Sequence, residues 1–138
     1  MPNDCVNFVT IYAPTETIEQ IADMNGRLVS LVPPPSEETA VLAEYWGSDR
    51  FYDYSLDERG LEAIQFSITT AWAPPLGLFR MLLDVHPVDF IKVAWTVEDG
   101  DAGVWVGKHD GEGGKPVTQE IRWDEGCLEE KTHRFRKM

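Results

Sequence analysis

Two period-two runs separated by a proline-bracketed apolar segment constrain this chain more than any other feature. In the first, Ile64, Phe66, Ile68, Thr70 and Trp72 fall on one side, and Gln65, Ser67, Thr69 and Ala71 on the other. In the second, Ile91, Val93, Trp95 and Val97 oppose Phe90, Lys92, Ala94 and Thr96. Successive side chains of a strand point to opposite faces, so each run predicts a strand with one side against a core. Between them Pro74-Pro75 suits the first turn of a helix. Leu76, Phe79, Leu82, Leu83 and His86 then recur at helical spacing before Pro87 ends it.

The rest of the chain is read around this centre. Cys5 to Ala13 is rich in β-formers and stops at Pro14, which predicts a first strand. Thr15 is placed to cap a short helix with Ile18, Ile21 and Ala22 on one face and Gly26 beyond its end. A second strand is expected over Arg27 to Val32 and a second helix from Ser36 to Gly47. Ser48 to Gly60 is polar, aromatic and acidic, with room for a short strand or loop around Phe51 to Tyr54. Glu98 to Asp101 is a turn, and Gly103 to Lys108 and Pro116 to Trp123 are two further strands joined through the glycine-rich Asp110 to Gly114. Strands and helices in this order predict an α+β fold, an antiparallel sheet with its helices packed on one face.

A chain of 138 residues with 43% hydrophobic and 11% aromatic content is long enough to bury one core. One domain is therefore expected over residues 1–130, followed by a basic tail from Lys131 to Met138. No apolar stretch reaches the roughly 20 residues a membrane helix needs, and the start lacks a secretory pattern, so the expectation is a cytoplasmic protein. Cys5 and Cys127 have neither C-x-x-C spacing nor a nearby histidine pair, which argues against a metal site, and a reducing cytosol argues against a disulfide. The net charge is −12, from 24 acidic and 12 basic residues. The last eight residues carry +4, leaving −16 on the body. Such a field repels nucleic acid and attracts basic partners.

Candidate sites follow from chemistry. On the solvent side of the sheet the alternation places Gln65, Ser67, Thr69, Lys92, Thr96, Thr118, Glu120 and Arg122, with Phe90 the one aromatic, a poor platform for stacking bases. Most of the five tryptophans fall at inward strand phase or on a helix face and belong to the core. Trp72 closes an inward alternation and is expected to be largely buried. His86, His109 and His133 stand alone, and no nucleophile, zinc or phosphate-loop motif is present, so neither a cofactor nor a catalytic set is read from the chain. Carboxylates do cluster, at Asp49, Asp53, Asp57, Glu58 and Glu62 and again near Asp124 to Glu130. Besides a solvated face, spaced carboxylates can serve as a surface that imitates nucleic-acid phosphates and fills a basic groove of another protein.

Three segments carry a resemblance. The chain opens Met1-Pro2-Asn3-Asp4-Cys5-Val6-Asn7, continues with Trp46-Gly47-Ser48, and reaches Thr70-Ala71-Trp72-Ala73-Pro74-Pro75. In that order they resemble the Api92-like proteins, also described by a YubB ferredoxin-like domain, over about residues 1 to 110. At Asp4 the family usually has a tryptophan. The resemblance implies a ferredoxin-like fold, a setting on phages, plasmids or prophages, and a host-interaction role. Joined to the charge, it leads to a non-enzymatic protein that binds a basic host partner through Asp49, Asp53, Asp57, Glu58 and Glu62. Nucleic-acid-handling defence proteins such as restriction or CRISPR effectors are the most economical partners. The alternative is a small-molecule or nucleotide-binding domain with its pocket at Trp46, Asp49 and Trp72.

Overall fold

The computed structural model describes residues 3–27, 51–98, 100–109 and 116–123. In chain order these form β1 (Asp4–Tyr12), α1 (Thr15–Asp23), β2 (Phe51–Arg59), β3 (Ala63–Ala71), α2 (Leu76–Val85), β4 (Phe90–Val97), β5 (Ala102–His109) and β6 (Pro116–Trp123). The strands make one six-stranded sheet in the order β2-β3-β1-β4-β5-β6, with every neighbouring pair antiparallel. The first four strands and the two helices reproduce the β-α-β-β-α-β ferredoxin-like arrangement, and β5 and β6 extend it beyond β4 as a meander. The α+β expectation holds.

The central strand shows why these residues pair. Cys5, Asn7, Val9 and Ile11 are buried and stand in register with Thr70, Ile68, Phe66 and Ile64 of β3 and with Val97, Trp95, Val93 and Ile91 of β4. Ile18 and Ile21 of α1 and Leu78, Phe79, Leu82 and Leu83 of α2 join the same core, so both helices cover one face of the sheet. Thr15 is the first residue of α1 rather than its cap: Pro14 holds the cap position with no side-chain hydrogen bond, and its carbonyl accepts from Thr17 and Ile18. A side-chain cap is worth about 1 kcal/mol, whereas burying an isoleucine contributes about 1.5–3 kcal/mol. Packing of Ile18 and Ile21 therefore holds this nine-residue helix, which is too short to persist alone.

The structure corrects several sequence expectations. Phe51 begins a nine-residue strand, not a short one, because the chain absorbs an irregularity at Asp53 (φ +52) and stays paired with β3 to Arg59. The Arg27 to Val32 strand and the Ser36 to Gly47 helix lie, from Leu28 onward, outside the described residues, as do Cys127 and the basic tail. Trp72 is not buried. It is 60% exposed at φ +71, because pairing with β1 ends at Ala71 opposite Asp4 and the chain then turns sharply. The Trp72 N–H donates to Asn3 O, and the Thr70 hydroxyl donates to Ala73 O at 2.7 Å.

Two further corrections concern the open face. Thr69 lies on it but is buried, flanked in register by Tyr52 and Val6. In β6 the phase is inverted. Thr118, Glu120 and Arg122 pair with Gly107, Trp105 and Gly103, which are on the helix side, so Val117, Gln119 and Ile121 occupy the open face. The reason is position: β6 is the outermost described strand on its side, and its helix-side Glu120 and Arg122 stay wet. Arg122 lies 5.5 Å over the Trp95 ring and pairs with Glu120 at 2.5 Å.

Candidate functional site

The edge built by β2 and the turn after it gathers the acidic residues singled out from sequence. Asp53, Asp57 and Glu58 on β2 and Glu62 in the turn are all exposed, with Arg59 the one base among them. Asp49 and Trp46 lie outside the described residues. Strand geometry explains the display: β2 is the outermost described strand on its side, and Phe51 and Tyr54 are the residues of it that pack against the core, the Tyr54 ring meeting Phe66 at 5.5 Å. Burial, reinforced by the nearby Asp57 carboxylate, pushes the Tyr54 phenol above its ordinary range. Exposed like charges of this kind are held apart by water and screened beyond about 8 Å at physiological salt.

At the other end of β2 a polar cluster ties three strands together. The Tyr52 hydroxyl donates to the Asp4 carboxylate. The Asp4 N–H donates to Glu98 Oε1 at 2.8 Å, and the Glu98 N–H returns to Asp4 O at 3.0 Å. The hydrogen bond to Asp4, then desolvation and the charges of Asp4, Asp53 and Glu98, push the Tyr52 phenol up to about 12. A raised phenol keeps its proton in the fold while the unfolded chain gives it up near pH 10. The stability from this bond is present below pH 10 and is lost as pH rises towards 12. Spectrophotometric titration should show a tyrosine step near pH 12 that vanishes in Tyr52→Phe while the raised step of Tyr54 remains; persistence of the step near 12 in that variant would place it elsewhere.

Trp72 sits just beyond this cluster as an exposed aromatic. Its truncation is expected to cost no more than about 0.5 kcal/mol, the range of surface substitutions. Urea denaturation of Trp72→Ala measures this.

The open sheet face carries what sequence reading missed. Phe8 and Tyr12 of β1 are 53% and 48% exposed on it, and Tyr12 packs against Phe90 at 5.6 Å, so Phe90 is joined there by two aromatics of β1, with Tyr52 of β2 farther out on the same face. The available signal was the alternation of β1 itself, with Cys5, Asn7, Val9 and Ile11 inward. A second signal was the run Val104-Trp105-Val106, apolar on both faces. His109 ends β5, its Nε2 at 2.8 Å from Leu83 O, and His86 caps the end of α2. Among the described residues no three His, Cys, Asp or Glu side chains converge as a metal site, and no helix is long and apolar enough to cross a membrane. No protein-family model, no curated protein and no solved structure matches the chain.

Proposed function

We propose that the protein acts by binding, presenting the carboxylates of β2 and its turn to a basic surface of another protein. The observation that carries this reading is the exposure of Asp53, Asp57, Glu58 and Glu62 along one edge of a chain with net charge −12. Exposed carboxylates held along a sheet edge offer a basic groove spaced negative charge, as a nucleic-acid backbone does. Basic grooves built for phosphates therefore suit this edge, and a nucleic-acid-handling defence effector in the cytoplasm of a bacterial host is the partner that fits. The segments shared with Api92-like proteins support a phage or plasmid setting.

The test uses the full chain as bait in bacterial lysate, beside the variant Asp57→Lys/Glu58→Lys/Glu62→Lys. Asp53 is left in place because its left-handed backbone suits Asp or Asn and would strain Lys. The expected partner is basic, is released by moderate salt and by duplex DNA or guide RNA, and binds the variant at least about tenfold more weakly. A partner held equally by the variant and insensitive to salt and nucleic acid would overturn the reading. The exposure of Trp72 favours a second reading, a ligand site at the turn before α2. Loss of binding in Trp72→Ala with the acidic variant unaffected would select it.

A further inference from the structure

The open face of the sheet is divided laterally. Towards β2 and β3 it is polar, with Ser55, Glu58, Gln65 and Ser67. Across β1, β4, β5 and β6 apolar residues dominate, and one register row runs Phe8, Ala94, Val104, Ile121 without a polar residue. A parallel row runs Tyr12, Phe90, Lys108 and Val117, and Val117 and Ile121 are 44% and 38% exposed. Between the two rows lie Thr10, Lys92, Val106 and Gln119. An antiparallel sheet with a solvated face alternates apolar-in and polar-out. Here the alternation fails on the solvent side of four adjacent strands, and an apolar patch with a polar rim is the mark of an interaction surface.

We propose that this apolar half is a dimer interface, on which a second copy of the chain packs sheet to sheet. Area and register carry the choice of occupant. Four strands about 4.8 Å apart and eight residues long at about 3.4 Å rise present roughly 500 Å² per copy, or about 1,000 Å² for two. That meets the roughly 1,000 Å² that a specific interface needs. A two-fold axis parallel to the strands, between β4 and β5, sets β1 of each copy over β6 of the other and β4 over β5. Phe8 then meets Ile121 of the second copy, Ala94 meets Val104, and Tyr12 meets Val117, apolar on apolar. In the row between, Thr10 meets Gln119, polar on polar.

The charges agree with that arrangement. Among the described residues this half carries Lys92 and Lys108, with Asp4 at one end engaged by Tyr52. The axis places Lys108 over Phe90 of the second copy and Lys92 over Val106, where a lysine stem covers apolar surface; at Phe90 the ammonium also faces a ring. The polar β2–β3 halves project to opposite sides, so the two carboxylate edges stay far apart and exposed. Nucleic acid is the lesser fit: two lysines face it from a body of strong negative charge, which repels phosphates. The dimer is independent of the acidic-edge reading, since it uses the other end of the sheet.

Sedimentation equilibrium or light scattering of the full chain over micromolar to hundreds of micromolar concentration tests this. The expected result is a reversible dimer that strengthens with added salt, because salt screens the repulsion between two acidic bodies. This is the opposite sign to the salt effect on a basic partner. Phe8→Asp and, separately, Val117→Asp should weaken the dimer at least about tenfold with unchanged far-ultraviolet circular dichroism. A monomer at every concentration, or a dimer unaffected by both variants, would overturn the proposal. So would single-stranded oligonucleotide binding that is lost in Phe8→Asp, which would assign the face to nucleic acid.

Discussion

Gly103→Ala is expected to destabilise the fold by about 3 kcal/mol, a large cost for a single methyl group. A Cβ at Gly103 would lie 2.4 and 2.5 Å from Trp95 Cζ2 and Cη2 and 2.7 Å from Ile121 O. Trp95 is the cross-strand neighbour of Gly103, and its indole lies across the β5 backbone to reach the Arg122 guanidinium. The ring is 3% exposed and has nowhere to move, and the carbonyl belongs to a paired strand. Alanine does restrict the unfolded chain more than glycine, which stabilises by at most about 1 kcal/mol. The clash is larger, so the net sign is loss. Urea denaturation followed by tryptophan fluorescence reads the effect. Pairing Gly103→Ala with Trp95→Leu should cost clearly less than the two singly, since removing the ring removes the clash. Strict additivity would show that the two residues do not meet.

Asn7→Asp is expected to cost more, on the order of 4 kcal/mol at neutral pH. Asn7 is fully buried at the centre of β1. Its Nδ2 lies 3.0 Å from both Ile68 O and Thr70 Oγ1 and 3.3 Å from Cys5 O, and the Thr70 hydroxyl passes the chain of bonds on to Ala73 O. Each of these three partners accepts from the Asn7 amide, so the site demands a donor. A carboxylate would face carbonyl oxygens without water. Its proton would be retained in the fold, raising the folded pKa above the usual value of about 3.9. A group with a raised folded pKa keeps its stability below the unfolded value and loses it as pH rises. The Asn7→Asp variant should therefore approach wild-type stability near pH 4 and fall progressively above it. A loss independent of pH between 4 and 7 would show that packing, not the missing donor, accounts for the cost.

Where the alternation is strong on one side and polar on the other, as from Ile64 to Thr70 and from Ile91 to Val97, local sequence carries both the element and its inward face. The helix from Leu76 is equally plain, because prolines bound it and its apolar spacing has a single period. β2 was hard to read because its acidic, aromatic residues have no period two. It is a strand because β3 offers it an edge, and it accommodates the mismatch with an irregularity at Asp53. Of the candidate site, the identity of the carboxylates was legible, and their alignment along one edge was not.

Local chemistry thus determined the α+β class, the inward faces of β3 and β4, the helix before β4 and the negative field. Each depends on residues within a few positions of one another or on simple composition. Tertiary structure alone decided the exposure of Trp72, the inverted phase of β6 and the apolar open face. Trp72 turns outward because its strand's pairing stops at Asp4, far away in sequence. The polar positions of β6 face the helix side at the edge of the described sheet, where α2 meets the strand at its Pro116 and Thr118 end through Arg80 and Asp84 and leaves Arg122 exposed over Trp95. A strand's two faces are equivalent in its own sequence when both carry apolar and polar residues, and only the neighbours it pairs with, and what covers them, tell the faces apart.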